Sequence, residues 1–173
     1  MKLKLIIPLA FLLIAGCAPK AVQYDLPSAG VTEKPNWVET QPEVRDTIFI
    51  VIQLPEEHSL DMDQSVQQAQ SELNTLLMSE LEIMLRDYWA EKRSRYSEDE
   101  KFELIAGLPG TLEKIMHYVA VTDGWERNGE VSILCAIDYE QAAKILMSDM
   151  KIRDRSFLSY LKRRMDALSQ RYR

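Results

Sequence analysis

Histidine, cysteine and glycine are scarce in this chain, with two, two and six among 173 residues, and each scarcity closes off a class of chemistry. No glycine-rich phosphate loop, H-E-x-x-H or G-x-S-x-G occurs. His117 has no Cys or Glu at ligand spacing and reads as a structural side chain in a strand. His58 sits among Glu56, Glu57, Asp61 and Asp63, an oxygen-rich group of the kind hard cations take. The glycine and terminal glutamate of a calcium loop are missing, however, and carboxylates ahead of a helix complement its dipole. No metal and no cofactor is therefore expected. Ser159 and Lys162 match S-x-x-K, but the companion K-T-G is absent and the motif falls on a basic terminal helix. The expectation is a protein that is not an enzyme.

A membrane-spanning segment is also wanting. The apolar run over residues 5–15 stops at Gly16, about a dozen residues where ~20 are needed to cross hydrocarbon. Lys2 and Lys4 precede it, and small Ala15 and Gly16 lead into Cys17. That order is the layout of an export signal, and Ile14-Ala15-Gly16-Cys17 resembles the lipobox of bacterial lipoproteins. On that resemblance residues 1–16 form a signal peptide, and Cys17 becomes an acylated first residue carrying palmitate-type chains. Several chains hold firmly where one alone is marginal. Ala18, in place of the aspartate of an inner-membrane retention signal, points to the outer membrane, with the body in the periplasm. A thioether at Cys17 leaves Cys135 alone, in "VSILCAID", where a buried inert thiol is expected.

Cleavage would remove two lysines, so 19 of the 21 basic residues would face 27 acidic ones, a formal −8. Residues 151–173 hold eight basic side chains against Asp154 and Asp166, a net +6, which leaves −14 for residues 17–150. An exported acidic body argues against nucleic acid, while the basic end suggests an electrostatically directed contact.

Pro19, Pro27, Pro35 and Pro42 punctuate residues 17–45, which read as a proline-containing tether from the lipid. Trp37 and Val38 near its end are expected to dock on the chain's own domain. Residues 46–150 carry the elements of that domain. "TIFIVIQL" reads as a buried strand. Asp61 or Asp63 then caps a long helix whose stripe is Val66, Ala69, Leu73, Leu76, Leu77, Leu81, Met84 and Tyr88. Ser97 with Glu100 marks a second helix by a capping box, ended by Gly107 and Pro109. "EKIMHYVAVTDGWERNGEVSILCAID" reads as two strands around an Asn128-Gly129 type I′ turn. Continuous two-residue-turn pairing would set Val131, Ile133, Cys135 and Ile137 opposite Glu126, Gly124, Thr122 and Ala120.

Asp138 with Gln141 starts the last helical stretch, and no proline or glycine follows Tyr139. Unbroken, it would run ~52 Å, longer than so small a domain is wide, so it must overhang or fold back. In the basic helix of residues 151–173, Leu158, Leu161, Met165, Leu168 and Tyr172 alternate steps of three and four, the seam spacing of a coiled coil. With Lys162, Arg163 and Arg164 they are the candidate partner-binding residues. Packing on the domain, binding of a second copy or an envelope partner, and membrane contact all remain open for this helix. The element order predicts an α+β domain: a small, largely antiparallel sheet packed by helices on one face, with a long C-terminal helix.

A lipobox, a tether ending in "KPNWV…P", one strand, a helix with Ala69 and Leu73, and the late hairpin "DGWERNGEVSILCAID" together resemble the Lpp-twenty family. These are small bacterial outer-membrane lipoproteins and include flagellar accessory lipoproteins. The likeness covers residues 35–147. It implies a non-enzymatic structural or assembly protein of the cell envelope and opens a flagellum-associated role, in rings or discs around the motor. The alternative is a periplasmic regulatory module that the tether carries to a cell-wall synthesis enzyme.

Overall fold

The computed structural model describes residues 26–40, 42–44, 46–54, 61–91 and 96–171. Three strands, β1 (Thr47–Leu54), β2 (Val119–Arg127) and β3 (Glu130–Asp138), form one antiparallel sheet in the order β1-β3-β2. Helices α2 (Met62–Glu91), α3 (Glu98–Ala106), α4 (Leu108–Met116), α5 (Tyr139–Asp149) and α6 (Ser156–Arg171) accompany it, and a single helical turn, α1 (Asn36–Glu39), precedes β1. The domain is α+β, as the element order predicts.

β1 is β-branched along most of its length, and its alternate residues Ile48, Ile50, Ile52 and Leu54 join Val131, Ile133, Cys135 and Ile137 of β3 on one face. Seven of the eight stripe residues of α2 are buried against that face or beside it, and Leu76 is partly buried. Asp61 caps the helix: its carboxylate accepts from Gln64 N–H at 2.8 Å while Gln64 Oε1 accepts from Asp61 N–H at 3.3 Å. The Ser97–Glu100 capping box is present at α3, and Asp138 caps α5 through Gln141 N–H at 3.0 Å.

Two expectations need correction. Gly107 does end α3, as its C-cap, but Pro109 is no stop: it sits in the first turn of α4, which begins at Leu108, where a missing N–H costs nothing. The run ahead of the hairpin is thus helical through Met116, and His117 caps α4 rather than sitting in a strand. Second, the hairpin register is interrupted. Asn128 and Gly129 take the positive φ values, 53° and 85°, that the turn needs, and Glu126 and Gly124 oppose Val131 and Ile133. A bulge at Thr122 then shifts the pairing, so Val121 opposes Cys135 and Val119 opposes Ile137. The extra residue brings valines, not Thr122 and Ala120, beneath the helices. Of the two outcomes open to the last helical stretch, it takes the fold-back: α5 stops at Asp149, and Lys151 takes φ 53° to reverse the chain into α6 without a glycine.

The sheet's other face is not bare. Val51, Leu134, Ser132, Trp125 and Asp123 share it and are buried, as is Val38 of α1. Residues 28–38 form a strap across it. Leu26, just upstream, instead joins the core on the helix-covered side, where Gly124 gives it room: a Cβ there would come within 2.7 Å of Leu26 Cδ1 and 3.1 Å of Ile133 and Met62.

Candidate interaction surfaces: the C-terminal helix and the N-terminal strap

α6 begins where Asp154 accepts from Ser156 N–H at 2.8 Å and Ser156 Oγ at 2.6 Å, and the same carboxylate accepts from Tyr88 OH at 2.8 Å. One aspartate therefore starts the helix and pins it to α2. Phe157 and Tyr160 then stack around Tyr88, with ring centroids 4.9 and 5.3 Å away, and Tyr160 OH donates to Met84 O at 3.0 Å. Tyr139 OH donates to Leu158 O, tying α5 to α6. Burial pushes the Tyr88, Tyr139 and Tyr160 phenols above their ordinary value.

This packing sorts the candidate partner-binding residues. Leu161, Met165 and Leu168 lie in the chain's own core, each no more than 5% exposed. The three-and-four spacing is the signature of helix-on-domain packing here, and those three side chains are not on offer to a partner. Leu158 is 37% exposed. Lys162 and Arg163 face solvent; the Lys162 ammonium sits 5.2 Å from the Tyr139 ring centroid, a favourable cation–π placement. Arg164 pairs with Asp87 at 3.1 Å. Tyr172 and Cys17 lie outside the described residues, as do Glu56, Glu57 and His58. Ser159 and Lys162 are both on the solvent side of α6.

The strap is the part that sequence patterns signalled least. Asp123, 8% exposed, accepts from Ser28 N–H at 2.8 Å, Ser28 Oγ at 2.7 Å, Trp37 Nε1 at 2.7 Å and Gly124 N–H at 2.8 Å. Trp125 Nε1 donates to Val31 O at 3.1 Å. The expected docking of Trp37 on its own domain thus has a polar anchor. Asp123 had been legible only as part of "DGWERN"; its partners lie 86 and 95 residues away in sequence.

An apolar void of ~20 Å³ lies between Ile48, Leu77, Ile137 and Met165, against the 300–1,000 Å³ usual for ligand pockets. Among the described residues no three His, Cys, Asp or Glu side chains gather as metal ligands, and no helix is long and apolar enough to cross a membrane. Burial pushes the Cys135 thiol up to about 12, which removes its nucleophilicity near neutral pH. No protein-family model, curated protein or solved structure matches the chain.

Proposed function

We propose that the chain is an outer-membrane-anchored periplasmic lipoprotein with a structural or assembly role in the cell envelope. The observation that carries this reading is the order Lys2, Lys4, apolar run, Ala15-Gly16-Cys17, upstream of a strap that ties the chain to a helix-covered sheet. Cys17 is the acylated residue in this reading. The resemblance to the Lpp-twenty lipoproteins supports it at the level of motifs, and a flagellum-associated role follows from that resemblance alone. Labelled palmitate should appear on the mature protein, and Cys17→Ser should release it from the membrane fraction. An unlabelled product, or a serine variant that still sediments with membranes, would overturn the anchoring.

A regulatory module for a cell-wall enzyme is favoured by one observation, the solvent-facing Leu158 beside exposed Lys162 and Arg163. Leu158→Asp leaves the core untouched, so loss of a crosslinked envelope enzyme with that variant would support the regulator over the scaffold.

A further inference from the structure

β1 is an edge strand, and its outer rim can be read from the ladder. Tyr139 N–H donates to Asp46 O at 3.0 Å, so the even-numbered residues of β1 face β3 with their amides and carbonyls. Phe49, Val51 and Gln53 direct theirs outward. Thr47, the first outward residue, already gives its N–H to Val44 O at 3.2 Å. No bond from a described residue meets the other three.

Edge strands are ordinarily guarded by charge, proline, a bulge or a covering helix. β1, "TIFIVIQL", has no charge, proline or bulge. Two open grooves lie along it, each lined by residues from both faces of the strand and therefore placed at its rim. Thr47, Ile48 and Phe49 line one together with Glu43, Lys162 and Asp166; Val51, Ile52 and Gln53 line the other with Glu72 and Arg171.

We propose that this edge pairs with the same edge of a second copy of the chain, antiparallel and centred on Val51. Centring there is set by two conditions. Opposed side chains must share a face, so a symmetric pair is centred on a residue, and the hydrogen-bonded positions must be outward ones. Val51 then opposes its own counterpart and Phe49 opposes Gln53 of the other copy, so the three outward residues make six hydrogen bonds. The charges fit the same arrangement. Antiparallel pairing lays one copy's first groove against the other's second, so Lys162 meets Glu72 of the second copy while Asp166 and Glu43 meet its Arg171. Arg171 keeps 57% of its side chain exposed while bonded to Glu80 at 2.8 Å. A parallel arrangement would set Lys162 against Lys162. The pairing makes one six-stranded sheet with both helix layers on the same side. It deepens the assembly reading above, on which its biological sense rests, while the contact itself needs no lipid.

The test uses the full-length chain in detergent micelles, by sedimentation and native mass measurement. Gln53→Pro deletes an outward N–H without touching the β1–β3 ladder and should weaken the dimer by roughly tenfold or more, with Gln53→Ala close to the parent. A double Phe49→Cys, Gln53→Cys variant should give a disulfide-linked dimer on mild oxidation, since opposed hydrogen-bonded residues lie ~5.5 Å apart at Cα. Either single variant should not. A chain that stays monomeric at all concentrations overturns the proposal. So does a dimer that ignores Gln53→Pro and fails to crosslink, or a position-53 crosslink that captures a different protein. Anchoring fails separately: a crosslinked dimer without palmitate sinks the lipoprotein reading alone, and a labelled monomer held in an envelope complex sinks only the edge pairing.

Discussion

Removing the Asp123 carboxylate strands three donors of the strap at once: the Ser28 amide, the Ser28 hydroxyl and the Trp37 indole. Hydrogen bonds to a charged acceptor contribute about 1.5–3 kcal/mol each and are not additive. Asp123→Ala should therefore lower unfolding free energy by about 2–4 kcal/mol in urea titrations and shift Trp37 emission to the red as the strap loosens. Asp123→Asn, which keeps one acceptor, should cost less. The buried thiol and phenols give a pH signature of the opposite kind to the usual acid one. Cys135 has a folded value of about 12 against an ordinary 9.0, and Tyr88, Tyr139 and Tyr160 are also raised. A raised folded value means the stabilisation is complete below the unfolded value and lost as pH rises through the folded one. Urea midpoints should hold up to about pH 9 and then fall, with Cys135 alone contributing on the order of 4 kcal/mol by pH 12. A Cys135→Ala variant should lose part of that slope. In the folded protein Cys135 should resist maleimide at pH 8 and react once urea is added.

Elements with a strong local signal were legible before any coordinates: the α2 stripe, the Ser97 capping box, the Asn128-Gly129 turn and the uncharged β1 run. What escaped depends on the rest of the fold. Gly107 is a helix stop, capping α3, but Pro109 opens α4 because Leu108, Thr111, Leu112 and Ile115 find a buried face there. The bulge at Thr122 has no marker of its own; its hydroxyl bonds Leu134 O at 3.2 Å, and the shift is selected by what the helices above can cover. The break between α5 and α6 lacks a glycine, so Lys151 occupies a left-handed conformation that costs a side-chain-bearing residue about 1 kcal/mol. Lys151→Gly should raise stability by about 0.5–1 kcal/mol, read as a higher urea midpoint with unchanged slope. A drop would mean the lysine side chain compensates for its own backbone.

At the scale of the whole molecule, the basic C-terminal helix is structural framework. Phe157, Tyr160, Leu161, Met165 and Leu168 are all buried, and full burial of such side chains is worth about 1.5–3 kcal/mol each, comparable in total to the 5–15 kcal/mol that holds a domain folded. Deleting residues 151–173 should leave a chain without a cooperative thermal transition, whereas Leu158→Asp should melt within a few degrees of the parent. The charge asymmetry read from the sequence survives as a surface property of that helix, while its apolar seam belongs to the interior. Sequence spacing alone could not separate these uses, because a two-heptad stripe serves an intramolecular core and a partner equally well.

The back-face strap has a mechanical consequence. Tension arriving through the polypeptide upstream of Leu26 would be borne first by Leu26 in its buried seat beside Gly124, then by the Ser28 clasp on Asp123, the Val31 carbonyl held by Trp125 and the Trp37 clasp. These fastenings would open one after another, lengthening the leash, before any load reached the hydrogen-bonded strands. A body moored by its leading end would thus yield in stages under drag and keep its three-stranded core intact.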